Sequence, residues 1–367
     1  MSWFKPRKIY VHPLVLKEAV TQRILSKLPD VPWEIQAKPG ELPRTASDAV
    51  GEGKHIWFLT SSPGQLVKEC PATPVQLCCR YRVINVISNC PMDCSYCILQ
   101  GYINNPFITL HVNLDHIKAQ INHFLKTDPH HIFRFGTGEL SDSLALEEYT
   151  GFSTDLARFF LSSDNGFFEI KTKFHHVEKL LELDPKGRIG ISWSVNPEEV
   201  IRGEEKGASS LKLRLEAAQA CQEKGYLIGF HFDPIIQIPE WEHKYREVVD
   251  AIYTRLKPER ISWISLGGFR YPGFLKPVIQ ERFSRSKILL GELFPGPDGK
   301  YRYLKSLRVR MYREIADRIK EHDPETFIYF CMESPEVWEA VFGFHPANRN
   351  ELDRLFAQRI QRLWNKE

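Results

Sequence analysis

The chain has 367 residues, enough for two average domains or for one large α/β barrel with extensions. Hydrophobic residues make up 43% and charged residues 26%, which allows a sizeable core and excludes global disorder, and a formal net charge of +3 neither demands nor forbids a nucleic-acid partner. The apolar runs are strand-length, too short to span a bilayer, and the N-terminus lacks the apolar stretch of a signal peptide; the expectation is a cytoplasmic protein with no membrane partner.

Residues 1–80 read as a mixed N-terminal extension, with a strand over 8–11, a helix over 14–28, a strand over 55–60 and turns at Pro39-Gly40 and Pro63-Gly64. From Arg82 strand and helix alternate. Strands are predicted over 83–87, 131–135, 167–172, 188–195, 226–232 and 260–266, with helices over 114–124, 144–161, 175–183, 211–224 and 241–255. Repeated strand–helix alternation is the pattern of a parallel α/β sheet, whose chemistry gathers at the C-terminal strand ends. Beyond Gly268 the pattern loosens into a basic helix over 301–321, a strand over 326–330 and a helix over 351–363. The expected organisation is an N-terminal extension (1–80), a barrel (81–270) and a C-terminal extension (271–367).

Six of the eight cysteines fall between Cys70 and Cys97. A disulfide framework would spread them along a small secreted chain; clustering in a large chain points to metal or redox chemistry. Cys90-x3-Cys94-x2-Cys97 directly follows the first barrel strand. A structural zinc site wants four N or S ligands, and this spacing has no partner pair nearby. Three thiolates ligate three irons of a [4Fe–4S] cubane and leave the fourth open to a small bidentate ligand. This is the arrangement of radical S-adenosylmethionine (SAM) enzymes, in which the amino and carboxylate groups of SAM take that site. Tyr96, just before the third cysteine, is similar to the superfamily residue that packs near the adenine.

The triplet with Tyr96, Leu99 and Gln100 resembles spore photoproduct lyase and its relatives. So do Val112-Asn113-Leu114-Asp115, Arg134-Phe135 with Ser141-Asp142, Thr172-Lys173-Phe174, Ser194-Val195-Asn196, and the stretch from Gly225-Tyr226 through Pro234-Ile235 to Trp241-Glu242 and Tyr245. The resemblance covers roughly residues 80–285. It implies a partial (β/α)6 barrel, a [4Fe–4S] cluster, SAM, a one-electron reductant such as flavodoxin or ferredoxin, and hydrogen abstraction from a spore-type thymine dimer in DNA. Lys173, Ser194 and Ser141 match family positions that look like SAM contacts, and Asn196 stands with them at a strand end. Gly136-Thr137-Gly138-Glu139 looks like the Gly-Gly-Glu element of the wider superfamily. There glycines admit the backbone to the cofactor and the carboxylate holds the SAM ammonium.

Two positions depart from the lyase. Its hydrogen-donating cysteine falls at Glu139 here, and a carboxylate does not give a hydrogen atom to a carbon radical as a thiol does. Its tyrosine after the third cluster cysteine falls at Ile98. Cys70, Cys78 and Cys79 precede the first barrel strand as candidates for a replacement donor, with Cys79 taken as the catalytic candidate, or for a second metal site. Cys221 and Cys331 read as core cysteines, and His231 and Asp233 as strand-end contacts to substrate or ribose. Lys300, Arg302, Lys305, Arg308, Arg310 and Arg313, interleaved with Tyr301, Tyr303 and Tyr312, form a candidate grip on DNA phosphates. The reading is a radical SAM lyase acting on damaged DNA. A radical SAM enzyme for a peptide, nucleoside or small metabolite, and a non-enzymatic Fe–S protein, are the alternatives.

Overall fold

The computed structural model describes residues 4–38, 48–71, 73 and 75–365; the expected Pro39-Gly40 turn lies outside them. Near the N-terminus, β1 (Lys8–Val11), β2 (Trp33–Ile35) and β3 (Ile56–Thr60) pair in parallel around β1. The helix expected over 14–28 is a 3-10 turn at Pro13–Val15 followed by a helix over Ala19–Lys27. Proline suits the first turn of a helix, and the His12 ring accepts from the Leu14 N–H, so a separate turn forms before the helix proper.

Next come β4 (Val67–Glu69), β5 (Arg82–Ile84), β6 (Ile87–Ser88), β7 (Asp93–Cys94) and β8 (Ile108–His111). The single strand expected over 83–87 is two strands in two sheets. The chain turns at Asn85, whose N–H donates to the Leu66 carbonyl, and β6 then pairs antiparallel with β8 beside β3. Strands β9 (Phe133–Gly136), β10 (Gly166–Thr172), β11 (Ile189–Ser194), β12 (Glu205–Lys206), β13 (Leu227–Ile235) and β14 (Ile261–Gly268) follow. In the large sheet β5, β9, β10, β11, β13 and β14 are neighbours in that order, all parallel, with β4 antiparallel on the β5 edge. These are the barrel strands the alternation predicts. Their residues are buried nearly throughout, as a parallel sheet covered on both faces requires.

The helix expected over 144–161 is divided into Glu147–Thr150 and Phe152–Phe160 by Gly151, whose φ of 62° is a conformation glycine adopts without strain. The buried Glu147 carboxylate caps the second piece, accepting from the Ser153 and Thr154 N–H groups at 2.9 Å each. Only Glu178–Leu181 of the helix expected over 175–183 forms.

After the barrel, β15 (Arg270–Pro272), β16 (Phe294–Pro295) and β17 (Lys300–Arg302) make a small antiparallel sheet. A helix spans Lys305–His322, and β18 (Ile328–Phe330) joins the barrel sheet parallel to β14 on its far edge. The expected basic helix therefore begins later than predicted, and most of its cations are committed within the chain. Arg302 pairs with Asp298, buried Arg308 with Glu333 at 2.9 Å, and Arg310 with Glu242, while Arg313 donates to the Ala340 carbonyl. Tyr303 and Tyr312 are buried. The stretch therefore differs from the expected row of free cations with stacking aromatics between them. The expected boundaries at 80 and 270 also do not separate sheets, because β4 and β18 join the barrel while β6 and β8 join the N-terminal sheet.

A Cβ at Gly136, inside β9, would lie 1.7 Å from Tyr81 Oη and 2.3 Å from the Glu169 carbonyl oxygen. Gly136→Ala is expected to destabilise the fold by about 1–3 kcal/mol through overpacking. Urea denaturation measures it, and an unaltered midpoint would show that β9 can move aside.

Candidate functional site

The C-terminal ends of the barrel strands surround a cavity of about 310 Å³. Cys90, Cys94 and Cys97 form one wall. Asn89 turns the chain into this loop at φ 74°, and its side chain accepts from the Cys90 N–H at 2.8 Å. Cys94 lies in β7, whose register with β12 sets Cys94 opposite Glu205. Gln100 Nε2 donates to the carbonyls of Cys94 and Ser95, both at 2.9 Å. Asp93 accepts from Lys54 at 2.7 Å and from Arg282 at 3.1 Å. The loop is fixed at both its backbone and its flanks. Burial raises all three thiols, pushing Cys90 up to about 12 and Cys94 well above the ordinary range. Among the described residues no three His, Cys, Asp or Glu side chains converge on a single ion; a cubane takes one thiolate on each of three irons, so its ligands stand apart.

Gly138, Glu139, Ser141, Lys173 and Ser194 line the same cavity. Glu139 Oε2 and Ser141 Oγ are buried with no partner in the protein, the condition of polar groups that await a ligand. Between them and the strands, Asp142 accepts from the Leu144, Ala145 and Lys173 N–H groups and from Thr172 Oγ1, which fixes the loop after β9 to the end of β10. Tyr96 lines the cavity, its hydroxyl donating to Glu205 at 2.6 Å.

Two expected cofactor contacts lie off the cavity wall. Gly136 is packed beneath Tyr81 inside the sheet. Asn196 is fully buried; its amide donates to Glu205 at 3.0 Å and its carbonyl accepts from Tyr245 at 2.8 Å, so its hydrogen-bonding capacity goes to the scaffold. Cys331, expected in the core, lines the cavity, as do Cys70, Cys78 and Cys79; Cys221 is fully buried, as expected. His231 and Asp233 also reach the wall, where Asp233 pairs with Arg270 at 3.1 Å.

The sequence reading missed the charges behind this wall. Glu205 is fully buried and pairs with fully buried Arg214 at 2.5 Å. Burial opposes ionisation of Glu205, but Arg214, Lys173 and the Tyr96 hydroxyl outweigh it and bring the carboxyl down to about 2. Deeper in the barrel Glu169 accepts from Ser192 at 2.6 Å, Trp263 at 3.1 Å and His231 at 3.2 Å. There too burial is overcome, by Lys171, His231 and Arg134, and the carboxyl lies well below its usual range. The signal for Glu169 and Lys171 was present, since the two share one face of β10 by the two-residue period of a strand, and Lys173 follows just past its end. Glu205 gave none, because the contacts that define it come from separate segments.

The fold and site together define an α/β half-barrel of the radical SAM type. The chain belongs to the spore photoproduct lyase family, which it matches over residues 76–331 and whose members are radical SAM lyases, so it is an enzyme. The spore photoproduct lyase of a Geobacillus species is 28% identical over 310 residues, covering 80% of this chain and 86% of the relative. That of Bacillus subtilis is 27% identical over 307 residues, covering 79% and 85%. A solved spore photoproduct lyase complexed with dinucleoside spore photoproduct has a TM-score of 0.79 at 24% identity, covering 89% of this chain and 99% of that one. A mutant lyase with bound AdoMet and the same dinucleoside has a TM-score of 0.80 at 23% identity, covering 89% and 98%. These likenesses show the fold. Among the described residues no helix is long and apolar enough to cross a membrane.

Replacing Glu205 by alanine would leave the buried Arg214 guanidinium uncompensated and release Tyr96. A loss of about 3–5 kcal/mol in unfolding free energy is expected for breaking such a pair. Urea denaturation of the cluster-free protein measures it, and a parental midpoint would show that the loop is held by other contacts.

Proposed function

We propose that this chain is a radical SAM lyase that repairs a thymine lesion in DNA of the spore photoproduct kind. The carrying observation is one cavity with two complementary walls, a three-cysteine loop on one side and the unpartnered Glu139 and Ser141 oxygens on the other. That donor set fits a cluster with one open iron and a small zwitterion beside it. Cys90, Cys94 and Cys97 would hold the [4Fe–4S] cluster. When bound, cluster and SAM supply one-electron chemistry able to take a hydrogen atom from an unactivated carbon.

The chain's own residues bind and orient. Glu139 offers an anionic acceptor to the SAM ammonium, and Lys173 sets a cation on the same wall for its carboxylate. Ser141 and Ser194 add hydroxyls, Gly138 lets the backbone approach beside Lys171, and Tyr96 presents a ring whose orientation Glu205 fixes. Met92 and Leu99 keep the cluster side apolar. A second cavity of about 210 Å³ shares Tyr96, Cys97, Asp233 and Met332 with the first, which provides room for a substrate against the cofactor. The lesion assignment draws support from the family and from relatives solved with a dinucleoside spore photoproduct. A one-electron carrier such as flavodoxin or ferredoxin would supply the electron. The departures at Glu139 and Ile98, both on cavity walls, favour a second reading in which the same scaffold serves a substrate other than DNA.

Glu139→Gln is expected to weaken SAM binding by about 1.5–3 kcal/mol with iron content intact, as measured by equilibrium binding to reconstituted protein. Unchanged affinity would remove Glu139 from the SAM site. The triple Cys90, Cys94 and Cys97 to Ala variant should lose the cluster; a full cubane retained there would place the ligands elsewhere. The decisive assay is anaerobic reconstitution with dithionite, SAM and a deuterated dinucleoside spore photoproduct. Deuterium should appear in 5′-deoxyadenosine. SAM cleavage without that transfer would reject the lesion as substrate.

A further inference from the structure

The half-barrel has an open side, and the chain closes it with sulfur. The sheet runs from β4 and β5 at one edge to β18 at the other. The segment before β5 lies against the segment after β18, where the Leu77 N–H donates to the Glu333 carbonyl at 3.0 Å in an isolated antiparallel bridge. Cys78 and Cys79 come from one side of this seam and Cys331 from the other. The Cys70 N–H donates to the Tyr81 carbonyl at 2.6 Å, which brings Cys70 to the same place. All four thiols, free of disulfides, line the cavity that the cluster cysteines and Glu139 also line. Ser141, only 6% exposed, aims an unpartnered hydroxyl at it.

Within this thiol wall Cys331 stands apart. It directly follows the C-terminal end of β18, which runs parallel to the barrel strands, so it occupies the level where such folds carry chemistry. Tyr329 and Cys331, two residues apart, both reach the wall. The next residue, Met332, faces both this cavity and the adjoining one that Ile98 lines. Cys331 thus shares one cavity with Glu139, and its chain neighbour Met332 shares the other with Ile98. Cys78, by contrast, is buried beside Cys70 and Cys79.

We propose that Cys331 is the hydrogen-atom donor of this active site, facing the substrate from the closing strand of the barrel. The inference rests on the function proposed above. In the step, the Cys331 S–H bond breaks homolytically, a C–H bond forms on the substrate-derived carbon radical, and the unpaired electron passes to sulfur. A low-molecular-weight thiol, the co-reactant, then returns a hydrogen atom to Cys331; two of the resulting small thiyl radicals combine to a disulfide. Only the protonated thiol can serve. Burial, reinforced by Asp233, pushes Cys331 up to about 12, so the S–H form persists at neutral pH.

The test uses reconstituted holoenzyme with SAM and dinucleoside spore photoproduct, comparing wild type, Cys331→Ser, and a triple variant with Cys70, Cys78 and Cys79 changed to Ala. In Cys331→Ser, deuterium should still pass from labelled substrate to 5′-deoxyadenosine, while repaired thymine falls by about tenfold or more and radical adducts take its place. Wild type in D₂O should place solvent deuterium in the product, and Cys331→Ser should not. A readout independent of turnover is maleimide labelling of cofactor-free wild type, mapped by mass spectrometry. Cys331 should react faster than fully buried Cys221, and the dinucleoside should protect it. Clean repair by Cys331→Ser, loss of repair in the triple variant with Cys331→Ser unaffected, or Cys331 labelling no faster than Cys221 would each overturn the assignment. Absence of any deuterium transfer in wild type would instead overturn the lesion as substrate.

Discussion

Glu205 and Arg214 form an ion pair with neither side chain exposed, and the cysteine loop hangs from it. Glu205 pairs through its backbone with Cys94 and through its carboxylate with the Tyr96 hydroxyl and the Asn196 amide; Arg214 donates onward to the Ser194 and Ser209 carbonyls. A buried pair of this kind adds little net stability, because desolvation offsets most of the attraction. It does dictate geometry, since any displacement of the loop would strand a charge away from water. The loop carrying Cys90, Cys94 and Cys97 is thereby tied to the ends of β11 and β12, and through them to the wall that carries Ser194.

The base of the cavity obeys a different rule. Arg134 is buried on β9 with Nε, Nη1 and Nη2 lacking hydrogen-bond partners, yet its guanidinium lies 3.6 Å from the Phe356 ring centroid and 5.0 Å from that of Tyr81. Cation–π contact and the field of Glu169 stand in for hydrogen bonds. Phe356 belongs to the last helix, Arg349–Trp364, so the C-terminal end of the chain plugs the barrel floor. Asp353 of the same helix pairs with buried Arg82 at 3.2 Å.

The family resemblance and the structure agree on the cofactor side of the cavity and part on the substrate side. The cysteine loop, Glu139, Ser141, Lys173 and Ser194 face one space. The positions that would carry the family's hydrogen donor and its tyrosine face that space or the adjoining one, but as a carboxylate and an aliphatic side chain. The seam adds four thiols, of which Cys331 was the one that sequence reasoning assigned to the core. A cysteine after an apolar strand such as Ile328–Phe330 looks like core because burial and cavity lining leave the same local pattern.

The parallel barrel strands were legible because their apolar, β-branched runs and crossover helices are local patterns, and the three-cysteine motif because its thiols lie within eight consecutive residues, 90–97. Ser141, Lys173 and Ser194 came from the family resemblance, and the structure sets all three on the wall of one cavity. Local pattern could not show that residues 83–87 divide between two sheets, that Gly151 interrupts a helical run, or that the basic stretch after Lys300 finds its counter-charges in Glu242, Asp298 and Glu333. Asn196 carried the right sequence signal and the wrong partner, because its hydrogen bonds go to Glu205 and Tyr245. The sequence by itself determined which side chains are available and which strands carry them, since both follow from neighbours along the chain. Only the tertiary structure decided which charges are already paired and which thiols share the cavity, because pairing depends on residues far apart in sequence that meet when the sheet curls and its edges close.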